Sequence, residues 1–206
     1  EDRMKRIRDD FDVYRAPGSD GKGTVLFTGY YEPVLNGSLE ATDRYRYPLY
    51  KAPADLPANG TATPYLSRRE IDGGRALAGR GLEIAWVEDP VALFSLHIQG
   101  SGKIRLPGGR MLQVSFARSN NRSFRGIGRY MVEKGFITSQ DLSDRSIRKY
   151  LREHPDEQAD IFYHNERYIF FRIVGNGPVG ALGVTVTGGR TIAVDPMIYP
   201  QAGLAF

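Results

Sequence analysis

Residues 94–106, Phe-Ser-Leu-His-Ile-Gln-Gly-Ser-Gly-Lys-Ile-Arg-Leu, gather the side chains best suited to hydrogen-bonding a ligand. Apolar residues take every second place up to Ile98 and again at Ile104 and Leu106, a period that predicts a strand over Ala92–Gln99 and another from Lys103. The face opposite the core then carries Ser95, His97, Gln99, Lys103 and Arg105, flanking a Gly-Ser-Gly backbone that a ligand can approach closely. Such a surface suits a polar, uncharged or weakly anionic polymer such as a glycan. Gln99, Gly100, Ser101 and Gly102 leave two readings open, a sugar-binding turn and an ordinary hairpin turn. Two glycines around a serine exceed what a two-residue hairpin needs, which leans towards binding.

Other candidates say less when taken singly. Tyr30 and Tyr31, in Gly29-Tyr30-Tyr31-Glu32-Pro33, point to opposite faces of a strand, one ring packed inside and one offered as a platform for a sugar. Two ordinary β-favouring aromatics explain them as well, and on residue type alone that is the stronger reading. Asn120, within Ser119-Asn120-Asn121-Arg122-Ser123, can bond a glycan or belong to a loop leading into a helix capped by Ser123, and residue type favours the loop. Asp195 ends an apolar stretch before Pro196, where a carboxylate can do site chemistry but where Asp-Pro is also common turn chemistry. His97 has no carboxylate partner in view and is assigned no catalytic role. With no cysteine and three His residues that lack metal-binding spacing, no disulfide, metal centre or other cofactor is expected.

A chain of 206 residues, 41% hydrophobic and 25% charged, can bury a sizeable core as one large domain or two small ones. No apolar run approaches the roughly 20 residues that cross a bilayer. The net charge of +4 and pI near 9.3 admit an anionic partner, but the basic residues are dispersed among acids, so no nucleic-acid partner is expected. Glu1-Asp2-Arg3-Met4-Lys5-Arg6 lacks the pattern of a secretory signal, so either there was none or it has been removed. Gln201–Phe206 begins what reads as an apolar strand and is taken as a chain cut short.

The elements that must position these groups follow from local signals. Met4, Ile7 and Phe11 predict an amphipathic helix over residues 1–16, followed by a β-rich stretch from Thr24 to Tyr31 and a proline-rich, loop-like segment over 36–65. Ser67-Arg68-Arg69-Glu70 has the capping-box pattern and predicts a helix to about Ala78. A strand over Leu82–Val87 and a hairpin of Lys103–Leu106 with Met111–Ala117, turned by Pro107-Gly108-Gly109, come next. Helices are predicted from Phe124 to Lys134, from Ser143 to Glu153 and from Pro155, then strands over Tyr168–Val174 and Thr191–Asp195. The whole reads as β-rich with helices over about 124–164, the pattern of a barrel with additions.

Five ordered motifs resemble the membrane-bound lytic murein transglycosylase A family: Gly29-Tyr30-Tyr31-Glu32-Pro33, Leu66-Ser67-Arg68-Arg69-Glu70-Ile71, His97-Ile98-Gln99-Gly100-Ser101-Gly102, Tyr168-Ile169-Phe170-Phe171-Arg172 and Ala193-Val194-Asp195-Pro196. The resemblance implies a mainly β fold, a double-psi β-barrel made of N- and C-terminal segments with a second β-barrel-like domain, carrying helices, inserted between them. Here those parts would be residues 1–64, 65–171 and 172–206. It implies cleavage of the β-1,4 bond between N-acetylmuramic acid and N-acetylglucosamine of peptidoglycan, with formation of a 1,6-anhydro ring, in the periplasm and associated with the outer membrane. By the same resemblance Tyr30, Tyr31, Gln99, Gly100, Ser101, Gly102 and Asn120 would contact peptidoglycan glycan strands, and Asp195 would support a general acid/base lying beyond Phe206. Ala117-Arg118-Ser119-Asn120-Asn121 departs from the family's Ala-Gly-x-Asn-Gly-like loop, which weakens the part carried over to Asn120. The alternative reading is a non-catalytic module that binds the same glycan.

Overall fold

The structure is a computed structural model that describes residues 2–12, 14–15, 18, 21–24, 31–58, 60–175, 177–180, 182–194 and 199. It divides into two units, residues 1–31 and 32–206. In the first, helix α1 spans Asp2–Asp10 and buries none of its residues. The predicted helix over 1–16 is therefore shorter, as expected where Asp9, Asp10 and Asp12 place negative charge at the C-terminal end of the helix dipole. The β-rich stretch predicted over Thr24–Tyr31 lies almost wholly outside the described residues.

The second unit is built on one six-stranded sheet: β1 (Val34–Ser38), β2 (Tyr47–Tyr50), β3 (Glu83–Val87), β4 (Ser101–Arg105), β5 (Met111–Ser119) and β6 (Ile169–Ile173), in the order β2-β3-β1-β4-β5-β6. Only β1 and β4 run parallel; the other neighbours are antiparallel. The sheet is open, and among the described residues a lone bridge between Lys51 and Phe171 links its two edges. β2 and the second half of β1 lie inside the stretch predicted as loop, because Asn36, Gly37 and Pro48 mask a strand pattern that pairing imposes. Gly37 is required there: a Cβ would sit 2.4 Å from Ile104 Cγ2 and 2.8 Å from the Trp86 carbonyl.

The predicted strand over Ala92–Gln99 is a helix, α2 (Pro90–Gln99). Asp89 caps it by accepting hydrogen bonds from the backbone N–H groups of Val91 and Ala92, Pro90 opens it, and Gly100 ends it in the left-handed conformation at φ 81°. Leu93 and Leu96 pack into the core against the sheet with Leu35, Ile104 and Val114, while Val91 and Phe94 pack into a second core with Met131, Leu151 and Phe162. A helix buried on several sides has no polar stripe, so its apolar residues can fall into accidental alternation.

Three helices complete the unit: α3 (Ile127–Glu133), α4 (Asp144–Glu153) and α5 (Gln158–His164). Ser143 caps α4 as predicted, accepting from Ser146 N–H at 3.1 Å. The N-cap of α3 is Gly126, not Ser123. The Ser67–Glu70 box forms, with the Ser67 hydroxyl 2.6 Å from Glu70 Oε2, but it opens only a π-helical turn over Arg69–Gly73 because Gly73 and Gly74 stop it well before Ala78. Residues Thr191–Val194 form no strand.

Candidate functional site

Strand β4 alternates inward Gly102 and Ile104 with outward Ser101, Lys103 and Arg105. Its register with β5 sets Ser101 opposite Ser115, Lys103 opposite Gln113 and Arg105 opposite Met111. On the other side β1 contributes Val34 and Asn36, opposite Lys103 and Arg105, and β6 sets Arg172 opposite Ser115. Ser38 and the half-buried Trp86 form the next pair across β1 and β3. One face of the sheet therefore carries hydroxyls, an amide, cations and the chain's single tryptophan on a rigid hydrogen-bonded frame.

The Gln99–Gly102 corner leads into this face. The Gly100 N–H donates to the Leu96 carbonyl at 2.8 Å to close α2, and its carbonyl accepts from Phe116 N–H at 2.6 Å to fix the corner to β5. A Cβ on Gly102 would lie 2.6 Å from Leu96 Cδ1 and 2.9 Å from the Pro33 carbonyl, so the helix, the strand and the Pro33 backbone meet here only because this residue is glycine. Lys103 N–H donates to that same Pro33 carbonyl at 2.8 Å. Gln99 is half-buried at the end of α2. The four residues thus form a helix-to-strand corner, not the strand-to-strand turn that the alternation suggests.

Glu32 is the carboxylate that reaches the strand leaving that corner. It is 18% exposed, its Oε2 lies 3.1 Å from Lys103 Nζ, and its Oε1 accepts from the Gln113 side-chain amide. Glu88 is likewise engaged, by the Arg44 guanidinium and by Asn36 Nδ2 at 2.7 Å, and these hydrogen bonds hold its carboxyl below the usual range. The Glu88 carboxyl is therefore held ionised, with no proton to donate, and both acids already have their oxygens engaged.

Ser95 and His97 do not belong to this face. The Ser95 hydroxyl donates to the Val91 carbonyl at 2.9 Å inside α2. His97 is buried, its ring edge-on to Tyr168 and Phe171 at 4.3 and 5.3 Å, and burial, with help from Arg68, pushes its pKa well below the ordinary value. It is a neutral core histidine.

Asn120 sits at a different junction and is fully buried. Its Nδ2 donates to the carbonyls of Leu66 at 2.9 Å and Glu166 at 2.8 Å, while its Oδ1 accepts from Tyr168 N–H at 2.9 Å. Arg68, also buried, lies between the rings of Phe94 and Tyr168 and donates to the carbonyls of Asn165 and Arg167. Burial raises the Asp72 carboxyl's pKa, a tendency that the adjacent Arg68 opposes. This junction is fold architecture. Tyr31 is 45% exposed in the first unit, and Tyr30 and Asp195 lie outside the described residues.

Sequence reasoning missed Glu32, Trp86, Gln113, Ser115 and Arg172. Gln113 and Ser115 did carry a signal, alternating with Leu112 and Val114 on β5. Among the described residues no cluster of three or more metal-ligating side chains occurs, and no helix is long and apolar enough to cross a membrane.

The corner and the sheet it feeds coincide with a family match. Residues 26–172 match the model of the MltA specific insert domain. The chain belongs to that family. It is 31% identical over 192 residues to membrane-bound lytic murein transglycosylase A of Escherichia coli K12, covering 92% of this chain and 50% of that protein. The Vibrio cholerae protein of the same name is 29% identical over 187 residues, covering 89% and 49%. Thus the MltA-family chain spans about half the length of the curated relatives it matches. Its fold superposes on E. coli MltA crystallised with bound chitohexaose with a TM-score of 0.79, at 30% identity and covering 89% of this chain and 53% of that one. It superposes on a membrane-bound lytic murein transglycosylase from Agrobacterium tumefaciens with a TM-score of 0.73, at 35% identity and covering 82% and 52%.

Proposed function

We propose that this chain is the glycan-holding part of a peptidoglycan lytic transglycosylase, and that the full-length protein cleaves the β-1,4 bond between N-acetylmuramic acid and N-acetylglucosamine with 1,6-anhydro ring formation. The observation that carries the reading is the polar sheet face fed by the Gln99–Gly102 corner, in a chain of the MltA insert family. Sugars offer hydroxyls and acetamido groups to hydrogen-bond and apolar ring faces to stack. Ser101 and the side-chain oxygen of Gln113 meet the first need and Trp86 the second.

The chemistry explains how such a face can serve a reaction without holding a carboxylate pair. Glycoside hydrolysis ordinarily uses two carboxyl groups, one to protonate the leaving oxygen and one to attack or to activate water. When the sugar's own C6 hydroxyl attacks, the nucleophile is already in place, with the entropic advantage of an intramolecular reaction. One carboxyl then suffices, donating a proton and taking one back. Glu32 and Glu88 are both tied into hydrogen bonds, which supports a proton-transfer group elsewhere in the full-length protein.

On this reading the segments 1–64 and 172–206 contribute to a double-psi barrel around a glycan groove, Tyr30 and Tyr31 border sugars, Asp195 supports the acid, and the protein works in the periplasm at the outer membrane. The engaged state of Glu32 and Glu88 also favours a second reading, a binding module without catalysis. Mass spectrometry of murein sacculi digested with the full-length protein separates the two. Release of 1,6-anhydromuropeptides is expected, and sacculi that are bound but left intact would leave only the module.

A further inference from the structure

The polar face is unevenly charged. Lys103, Arg105 and Arg172 lie on it or at its rim; of the carboxylates that reach it, Glu32 pairs with Lys103, and Glu88, bonded to Asn36, pairs with Arg44. Several cations elsewhere in the unit are paired: Arg44 with Glu88, Arg80 with Asp55, Arg122 with Glu166, Arg152 with Asp89. Arg105 and Arg172 are exposed and have no carboxylate partner among the described residues. The register aligns Arg172 with Ser115 and Ser115 with Ser101, so an exposed guanidinium stands beyond a buried serine, with the half-buried Ser101 on the next strand. A guanidinium is suited to a carboxylate, which it can take through two parallel N–H bonds. A neutral sugar would use the hydroxyls and leave both arginines unanswered.

We propose that this face selects an anionic glycan over a neutral one, with Arg172 receiving a carboxylate carried by the strand and Arg105 strengthening the field. This rests on the glycan reading above. The carboxylate has two sources in peptidoglycan, the lactyl group of the muramic sugar and the attached peptide.

The test is a titration followed by Trp86 fluorescence, with three probes: neutral chitohexaose, murein glycan strands stripped of peptide, and the same strands with peptide attached. Anionic strands should bind about tenfold more tightly than chitohexaose at low salt, the scale of a charge-assisted hydrogen bond, and the advantage should shrink as salt screens it. Arg172→Gln and Arg105→Gln together should remove the advantage and leave chitohexaose affinity unchanged, whereas Arg129→Gln on α3 should alter neither. A preference already present with stripped strands assigns the lactyl carboxylate, and one that needs peptide assigns the peptide. Equal affinity for neutral and anionic strands, or equal losses for both in the double variant, overturns the proposal while the glycan reading stands. Failure of all three probes to bind overturns that reading and the proposal with it.

Discussion

Two polar, turn-rich segments of this chain look alike in sequence and do opposite things. Gln99-Gly100-Ser101-Gly102 and Ser119-Asn120-Asn121 both read as places where a glycan could be hydrogen-bonded. The first opens onto a solvent-facing sheet, with its glycines spent on packing a helix against a strand. The second turns inward, and Asn120 gives its amide and its oxygen to two backbone segments, at Leu66 and at Glu166–Tyr168. A polar side chain serves a ligand only if the fold has not already claimed its hydrogen bonds. That difference can be broken at either segment.

The largest effect belongs to the inward segment. Asn120→Ala strands the carbonyl of Leu66 and the N–H of Tyr168 and leaves the Glu166 carbonyl with the Arg68 N–H at 3.3 Å. We expect a loss of about 3–4 kcal/mol of stability, read from the urea midpoint at unchanged slope. A loss below about 1 kcal/mol would mean that water or rearrangement replaces those bonds, and that the two segments differ less than their burial suggests. Gly102→Ala comes next, at about 1–3 kcal/mol, because its Cβ meets Leu96 and the Pro33 carbonyl and the strand must shift. Any glycan affinity should fall with it, since Ser101 and Lys103 would move too.

How much of this was legible depended on how far apart in the chain the deciding groups lie. The β4–β5 hairpin and the Ser143-capped α4 rest on local signals and were readable. The Asn120 junction joins residues 46 to 54 positions apart, and the Arg172–Ser115 row depends on a pairing that no local pattern announces. α2 was misread for a different reason. Its sequence is apolar on nearly every side because two cores enclose it, so the period that separates helix from strand was missing, and only Asp89, Pro90 and Gly100 marked its ends. Reading those caps first would have moved Ser95 and His97 into the interior.

His97 offers a test of that relocation by pH. Unfolded, it gains a proton as pH falls through about 6.5, whereas the buried native ring stays neutral until much lower pH. The unfolded state then binds more protons, so stability falls as pH drops below about 6.5, with a slope approaching 1.4 kcal/mol per pH unit. Asp72 works in the opposite sense, because its native carboxyl holds a proton to higher pH than the unfolded one. The difference between wild type and His97→Gln isolates the histidine: stability profiles from pH 7.5 to 5 should diverge for the two proteins. Parallel profiles would put His97 in contact with water and restore it to the exposed polar row.

Gln99→Ala should move stability least and sharpen the comparison most. The side chain is half-buried at the last position of α2 and no hydrogen bond among the described residues holds it to the fold, so its removal should change stability by no more than about 0.5 kcal/mol. If the corner serves the glycan, chitohexaose affinity should still fall by about three- to tenfold, the worth of one net hydrogen bond. A loss of affinity without a loss of stability is what an unclaimed polar group predicts, and it is the reverse of the Asn120 result. Unchanged affinity would begin the binding surface at Ser101, and α2 would then matter only as the support that Gly102 lets the strand rest against.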